Sequence, residues 1–211
     1  MKIPAARPAL EKEWNALEKI RCWDLDSVEE YDAVRNNATR DGRTVHFGRV
    51  FALSTLKGSE LPEGDPGRRY KGRVVFQGNN VTDQGSNNAS FMEMSSSASL
   101  MIAGKFLDSI AMMEGNSGMQ ADGQQAYAQS ELGVRETWIF LPKDRWPPSW
   151  VGRKNPVCRL RLALYGHPLS GAFWEERCKK QLLSVGFLSI PGWECCFLHR
   201  SLGVVLSLRV C

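Results

Sequence analysis

The sequence predicts an α+β fold in which helices pack on an antiparallel sheet. Three observations lead to this prediction. Apolar residues recur at helical spacing in residues 10–21 and again in residues 98–114. Segments of strand length, rich in β-branched and aromatic residues, occupy residues 44–56 and 68–78. Residues 195–210 contain two short apolar runs around a polar, glycine-containing turn, which is typical of a hairpin.

Length and composition set broad limits on the protein. The 211 residues suffice for one large domain, or for two lobes that share a core. A hydrophobic content of 43% and a charged content of 24% are ordinary for a soluble globular protein. The net charge of +4 permits a polyanionic partner without requiring one.

The cysteines and the apolar runs indicate the cellular compartment. The six cysteines form no CxxC pair and are not interleaved with histidine, so we expect reduced thiols rather than a zinc site or a disulfide framework. The first ten residues do not resemble a signal peptide. No apolar run approaches the roughly 20 residues of a membrane helix. We therefore expect a soluble, intracellular protein, either cytosolic or nuclear.

The first third of the sequence predicts a helix followed by strands. Leu10, Trp14, Leu17 and Ile20 give the helical spacing of residues 10–21. An acidic run follows between Asp24 and Asp32, and we interpret it as a solvated face. The strand at 44–56 then leads into a loop, 58–67, that is rich in proline and glycine.

The strand at 68–78 carries basic side chains at alternate positions, namely Arg69, Lys71 and Arg73. The period of two in a strand places all three on one face. Such a row of cations is matched in spacing to phosphates. It is equally typical of a solvent-facing edge strand guarded by charge, so both interpretations stay open at this point.

The middle of the sequence predicts a buried helix and a strand that ends on a carboxylate. Ser95, Ser96 and Ser97 are candidate caps for the helix at 98–114, whose apolar residues cover a wide face. A strand is then expected to end at Asp122. Taken alone, Asp122 could cap the next helix or bind a metal ion.

The remaining elements follow in order along the chain. A short helix is predicted from Tyr127 towards Leu132, a strand over 134–141, and a strand from Val157 to a turn at Gly166. A helix over 169–185 then precedes the terminal hairpin, whose strands we expect at 195–200 and 204–210.

Two motifs in this order carry a family resemblance. Residues 69–78 have the form R-Y-K-x-R-V-V-x-x-G, and residues 158–166 have the form C-R-L-x-x-A-L-Y-G. Between them lies Asp122, with an Ala-Tyr pair ending five residues later at Tyr127. This arrangement resembles the reverse transcriptase of copia-type LTR retrotransposons, from Glu13 onward.

The resemblance implies the fingers and partial palm of a right-hand polymerase, forming one reverse transcriptase domain. Residues 1–95 would be a fingers-like region, and residues 133–157 an insertion in it. Residues 96–132 and 158–211 would be the two parts of the palm.

The resemblance also implies roles for seven residues. Asp122 matches the first catalytic, metal-binding aspartate, and Tyr127 matches the aromatic residue under the incoming sugar. Lys71 and Arg73 match basic residues near the triphosphate. The remaining matches, to a motif that lines nucleotide and template, are Tyr165, Gly166 and Ser170.

The implied reaction is RNA-directed DNA synthesis, a metal-dependent nucleotidyl transfer. Its cofactor would be Mg²⁺ or Mn²⁺, which carboxylates hold because these hard cations prefer oxygen ligands. Its partners would be a deoxynucleoside triphosphate and an RNA or DNA template-primer, with no membrane involved; the oligomeric state is left open.

The sequence departs from the family at a second motif, Y-x-D-D. Arg209 and Cys211 stand where its tyrosine and first aspartate are expected, so we expect a truncated domain that is inactive by itself, with a weak metal site. An alternative is a non-catalytic nucleic-acid-binding remnant that uses the basic row, with Tyr70 and Tyr127 as stacking surfaces. A third possibility is a degraded gene product that does not fold stably.

Overall fold

The protein is a mixed α/β structure that divides into two compact units. The computed structural model describes residues 3–89, 91, 101–133 and 136–208. The first unit comprises residues 1–90 and 131–168, and the second comprises residues 91–130 and 169–211. Residues 158–168, which the resemblance assigns to the palm, fall in the first unit. Whether the units are fingers and palm stays a prediction.

The first unit is built on a six-stranded sheet. Its helices are α1 (Arg7–Lys19) and α2 (Tyr31–Arg40), and its strands are β1 (Trp23–Glu30), β2 (His46–Lys57), β3 (Arg69–Phe76), β4 (Thr82–Asp83), β5 (Thr137–Phe140) and β6 (Pro156–Leu160). The strand order is β1-β6-β5-β2-β3, with β4 paired to β2. The sheet is mixed rather than antiparallel as predicted, because β2 and β5 run parallel.

Two apolar groups hold helices against this sheet. On α2, Val34 and Ala38 are buried in a cluster with Val45, Phe47 and Trp138. On α1, Trp14 and Leu17 are buried, and the Trp14 ring meets the Trp23 ring edge-on at a centroid distance of 5.6 Å. Such aromatic pairs stabilise beyond the area they bury, by about 0.5–1.5 kcal/mol.

The acidic run is not simply a solvated face, as the sequence had indicated. Residues 23–30 form the edge strand β1, in which Asp24 lies opposite Arg159 of β6. Glu30 ends this strand and accepts hydrogen bonds from the backbone N–H groups of Lys154 and Asn155, at 3.1 and 2.8 Å. Part of the acidic run therefore has a structural role, while Asp26 and Glu29 are exposed as predicted. Helix α2, which was not predicted, begins directly after Glu30.

The second unit contains two helices and a small sheet. Helix α3 spans Met101–Ala111 and helix α4 spans Ser170–Ser184. The strands are β7 (Leu188–Ser189), β8 (Cys196–His199) and β9 (Val204–Ser207), in the order β7-β8-β9. The predicted hairpin and the predicted helix at 169–185 are confirmed.

The prediction that the helix at 98–114 is well buried is wrong for its described part. Ile102 is 64% exposed, Phe106 is 52% exposed and Met113 is 62% exposed. The Phe106 ring contacts Trp193 at a centroid distance of 5.4 Å, so one side of α3 packs within the unit. The predicted caps Ser95, Ser96 and Ser97 lie outside the described residues, as do Arg209 and Cys211.

No helix in the described ranges is long and apolar enough to cross a membrane.

Candidate nucleotide-binding site

The turn at residues 165–166 is joined to the end of β3 by a backbone hydrogen bond. The Phe76 N–H donates to the Tyr165 carbonyl at 2.7 Å. The next amide, Gln77 N–H, points to the other side of the strand and donates to the Arg49 carbonyl of β2 at 2.8 Å. Because β3 is the last strand in the sheet order, Tyr165 lies beside its outer edge.

Two glycines make this close approach possible. Gly166 has a φ of +87°, and a Cβ added to it would overlap the Phe76 carbonyl oxygen. A Cβ on Gly78 would overlap the Gly166 carbonyl oxygen. Glycine is therefore needed at both positions for steric reasons. Gly166, predicted to line a nucleotide, also has this packing role.

His167 completes the base of the turn. Its ring packs on the Phe76 ring at a centroid distance of 4.9 Å, and only 4% of the residue is exposed. Burial lowers the pKa of His167 to about 4, with a further lowering from the charge of His46. The imidazole is therefore neutral at physiological pH and acts as an apolar support for the turn.

Arg73 and Tyr165, both singled out from the sequence, are in contact. The guanidinium carbon of Arg73 lies 5.1 Å from the centroid of the Tyr165 ring. Tyr165 is 43% exposed, so solvent or a ligand can reach this pair. Stacking on an aromatic ring restrains the guanidinium while its N–H groups stay available at the rim of the plane. This is suitable geometry for holding a phosphate.

The strand pairing extends the basic row predicted on β3. Across the antiparallel pair, Lys57 of β2 lies opposite Arg69, and Thr55 lies opposite Lys71. Residues opposite each other share a face, so Lys57 joins the basic row. Neither strand contains an aspartate or glutamate. Lys57 was missed because the sequence does not show the register of β2 against β3.

The pKa of one carboxylate, that of Glu13, responds to this positive charge. Burial raises the pKa of Glu13 on α1, while the charges of Arg73 and Lys71 lower it. Helix α1 reaches β3 at Gly72, where an added Cβ would overlap the carbonyl of Ala9. Gly72 therefore allows α1 to pack closely on β3, on the face opposite Lys71 and Arg73.

The other three predicted residues belong to the second unit. Tyr127 begins a 3₁₀ turn, Tyr127–Gln129, in place of the helix predicted towards Leu132. Ser170 is the first residue of α4 and only 2% exposed. Asp122 is exposed, and Gly123 beside it lies near Trp174: a Cβ on Gly123 would be 3.9 Å from that ring.

The prediction of a strand ending at Asp122 is wrong. Residues 116–123 are irregular, and Met119 within them is 95% exposed. The physical reason lies in the composition, since two glycines, a glutamine and an alanine surround Asp122 without a β-branched residue. The roles predicted for Asp122, Tyr127 and Ser170 stay predictions.

The described residues do not fit a divalent metal centre. No group of three or more His, Cys, Asp or Glu side chains in the described ranges is arranged to hold a metal ion. Asp122 alone supplies one carboxylate, whereas Mg²⁺ takes several oxygen ligands in octahedral geometry.

Comparison with known proteins identifies a class of mobile-element polyproteins. The chain matches a region of copia-type retrotransposon Gag-Pol polyproteins over 94% of its length. In particular, it is 26% identical over 201 residues to the Transposon Ty1-DR4 Gag-Pol polyprotein of Saccharomyces cerevisiae. The Transposon Ty1-DR6 and Transposon TyH3 Gag-Pol polyproteins of the same species match with the same identity.

These matches cover a small part of each relative. The chain spans 11% of the Ty1-DR4 polyprotein and 10% of the Ty1-DR6 polyprotein. No protein-family model matches the chain. No solved structure matches it either.

Proposed function

We propose that the chain is a segment of the reverse transcriptase region of a copia-type retrotransposon polyprotein, and that its first unit binds the triphosphate of a deoxynucleotide. The contact between Arg73 and Tyr165 is the observation that carries the proposal. These residues are 92 positions apart and belong to two separate motifs, both of which resemble reverse transcriptase motifs. The similarity to Gag-Pol polyproteins supports the part of this proposal that concerns a retrotransposon polyprotein.

The proposed site binds and orients the triphosphate. Arg73 is restrained by the Tyr165 ring, so it loses little side-chain freedom when it donates to phosphate oxygens. Lys71 lies two residues earlier on β3 and adds a second positive charge on the same face. The turn is tied to Phe76, so the aromatic support has a fixed position relative to the strand. In a polymerase, such cations stabilise charge on the transferred group.

We expect the Arg73→Ala variant to bind a deoxynucleoside triphosphate at least about tenfold more weakly, since a charge-assisted hydrogen bond contributes about 1.5–3 kcal/mol. Isothermal titration with dATP in the presence of EDTA measures this affinity without a metal ion. Arg40→Ala is the matched control, because Arg40 is an exposed arginine of α2, paired only with its neighbour Asp41 among the described residues. Equal affinities for wild type and Arg73→Ala would refute the proposed site.

The strand pair also supports a second candidate function, binding of single-stranded nucleic acid without catalysis. Lys57 and Arg69 lie directly opposite each other, an arrangement of like charges that destabilises a sheet and that a polyanion would relieve. On the same face, Phe51 is 38% exposed and Leu53 is 47% exposed. Cations beside exposed apolar side chains suit a strand with both phosphates and bases.

The Lys57→Ala variant separates the two functions. If nucleic acid binds along the strand pair, we expect this variant to bind a single-stranded oligoribonucleotide more weakly. Its log-log salt dependence should be shallower by about 0.7 for one lost phosphate contact. Fluorescence anisotropy over a salt series gives both quantities, and Lys19→Ala on α1 is the control. If the salt dependence of the Lys57→Ala variant equals that of wild type and dATP still binds, nucleic-acid binding along the strand pair is refuted. Triphosphate binding is then the one proposed function that remains for this region.

A further inference from the structure

We propose that His199 is a proton-operated clamp in the second unit: its neutral ring joins the end of α4 to the turn between β8 and β9, and its protonated ring releases that turn. The released segment, residues 200–203, belongs to the second unit. This conformational change is therefore separate from the triphosphate site of the first unit.

Helix α4 ends in a way that leaves one carbonyl for a side-chain donor. Gly186 follows the helix with a φ of +96°, and its N–H donates to the Leu183 carbonyl at 3.2 Å. The Phe187 N–H donates to the Leu182 carbonyl at 3.1 Å, which completes a Schellman motif. No backbone N–H among the described residues donates to the Val185 carbonyl, so this carbonyl needs another donor.

The His199 ring supplies that donor. Its Nε2 lies 3.1 Å from the Val185 carbonyl oxygen. The ring also meets the Phe187 ring edge-on, at a centroid distance of 5.1 Å. A Cβ on Gly186 would lie 2.9 Å from the same nitrogen, so a glycine at this position gives the imidazole room to reach the helix end. A hydrogen bond and a ring contact thus hold His199 against the end of α4.

The other ring nitrogen contacts the turn after β8. The Leu202 N–H donates to Nδ1 at 3.3 Å, and the Ser201 hydroxyl oxygen lies 3.2 Å from the same nitrogen. His199 is the last residue of β8 and lies opposite Val204, the first residue of β9. One side chain therefore connects α4 with the turn that joins the two strands.

The partners of the ring determine its tautomer. A backbone N–H can only donate, so Nδ1 must accept from Leu202. A backbone carbonyl can only accept, so Nε2 must carry the proton that binds Val185. Both contacts exist together in one form of the ring, the neutral Nε2–H tautomer. The Ser201 hydroxyl can also donate to Nδ1 in this form.

A second proton on the ring breaks one contact and keeps the other. It turns Nδ1 into a donor, so the Leu202 N–H loses its acceptor, while the Ser201 hydroxyl can reverse its role and accept from Nδ1–H. The bond from Nε2–H to Val185 persists. A cation is favourable there, because the C-terminal end of a helix carries partial negative charge. The ring therefore stays on α4 while the turn is released.

Few charged groups surround the ring. The last turn of α4, the residues 185–187 that cap it, and the strands β7 and β9 contain no titratable or charged side chain. On β8 itself the other titratable residue is Cys196, which is buried. Arg200, which is exposed, follows His199 in the turn. A change of charge on the ring itself therefore governs the contact with Leu202.

The experiment is ¹⁵N NMR of the full chain between pH 8 and pH 5, the range in which an ordinary imidazole changes its charge. Ring correlations identify the tautomer and the protonation state, and we expect the Nε2–H form at pH 8. As the ring gains its second proton, hydrogen-exchange protection of the Leu202 amide should fall about twofold to tenfold, the contribution of one hydrogen bond. The Gly203 amide, which donates to the Arg200 carbonyl at 3.4 Å, is the control and should keep its protection.

The His199→Asn variant removes the titration and keeps an acceptor. Its side-chain oxygen can take the place of Nδ1, so Leu202 should be equally protected at pH 8 and pH 5. If Leu202 protection still falls with pH in this variant as in wild type, another group is responsible and the clamp is refuted. In wild type, three results contradict it: a proton on Nδ1 at pH 8, a ring that stays neutral down to pH 5, or equal losses of protection at Leu202 and Gly203. These wild-type results decide the question even where the variant does not fold.

Discussion

The Gly166→Ala substitution should cost about 3 kcal/mol of unfolding free energy in the first unit and separate Tyr165 from Arg73. Two effects add. A φ of +87° is strained for an L-residue by about 1–2 kcal/mol. The new methyl group would also overlap the Phe76 carbonyl, a backbone atom that cannot move alone, and overpacking costs about 1–3 kcal/mol. Native-state hydrogen exchange of the Phe76 amide measures the loss, because this amide donates to Tyr165.

Gly152→Ala is the control for this substitution. Gly152 has a φ of +91°, but an added Cβ there has no heavy atom within 4 Å. It therefore carries the backbone strain without the steric overlap, and we expect a loss of only about 1 kcal/mol. If the Phe76 amide lost hydrogen-exchange protection to a similar extent in both variants, Phe76 and Gly166 would not be in close contact. In that case the geometry given for the turn would be incorrect.

Elements with strong local patterns could be predicted from the sequence. Strand β3 combines β-branched residues with alternating cations, and the structure confirms it at Arg69–Phe76. Helix α4 was predicted within a residue at each end. In both cases the local pattern and the tertiary environment favour the same structure, which is when prediction from periodicity succeeds.

Elements that depend on distant partners could not be predicted in this way. Helix α2 buries only Val34 and Ala38, too narrow an apolar stripe to stand out from its polar sequence. Strand β1 is acidic, and its pairing becomes evident only once Arg159 is seen opposite Asp24. Conversely, the apolar residues of α3 predicted burial, although packing within its unit occupies only part of that face.

The candidate site shows the same division between local and distant information. Arg73 was recognisable from its strand, and Tyr165 from its motif, but only the fold shows that the two side chains meet. The sequence shows Gly78 and Gly166, but it does not show which backbone carbonyls they approach.

Acidification should destabilise the first unit through His167. Its pKa is lowered from 6.5 to about 4, chiefly by burial, so the unfolded chain binds a proton more readily than the folded one. The free energy of unfolding keeps its full value above about pH 6.5. It falls as the pH drops from about 6.5 to about 4, and it levels off below that. The expected loss is about 2 kcal/mol between pH 7 and pH 5, and about 3 kcal/mol in all. Urea unfolding followed by tryptophan fluorescence at several pH values measures it.

The His167→Phe variant isolates this contribution, since phenylalanine keeps a ring against Phe76 and cannot take up a proton. The difference in unfolding free energy between wild type and variant should change with pH by about the amount above, because the groups other than His46 and His167 titrate alike in both proteins. The imidazole resonance that is missing from the variant should titrate near pH 4 in wild type. A midpoint near 6.5, or a constant difference in stability, would mean that His167 is solvated and that the turn supporting Tyr165 is more open than described.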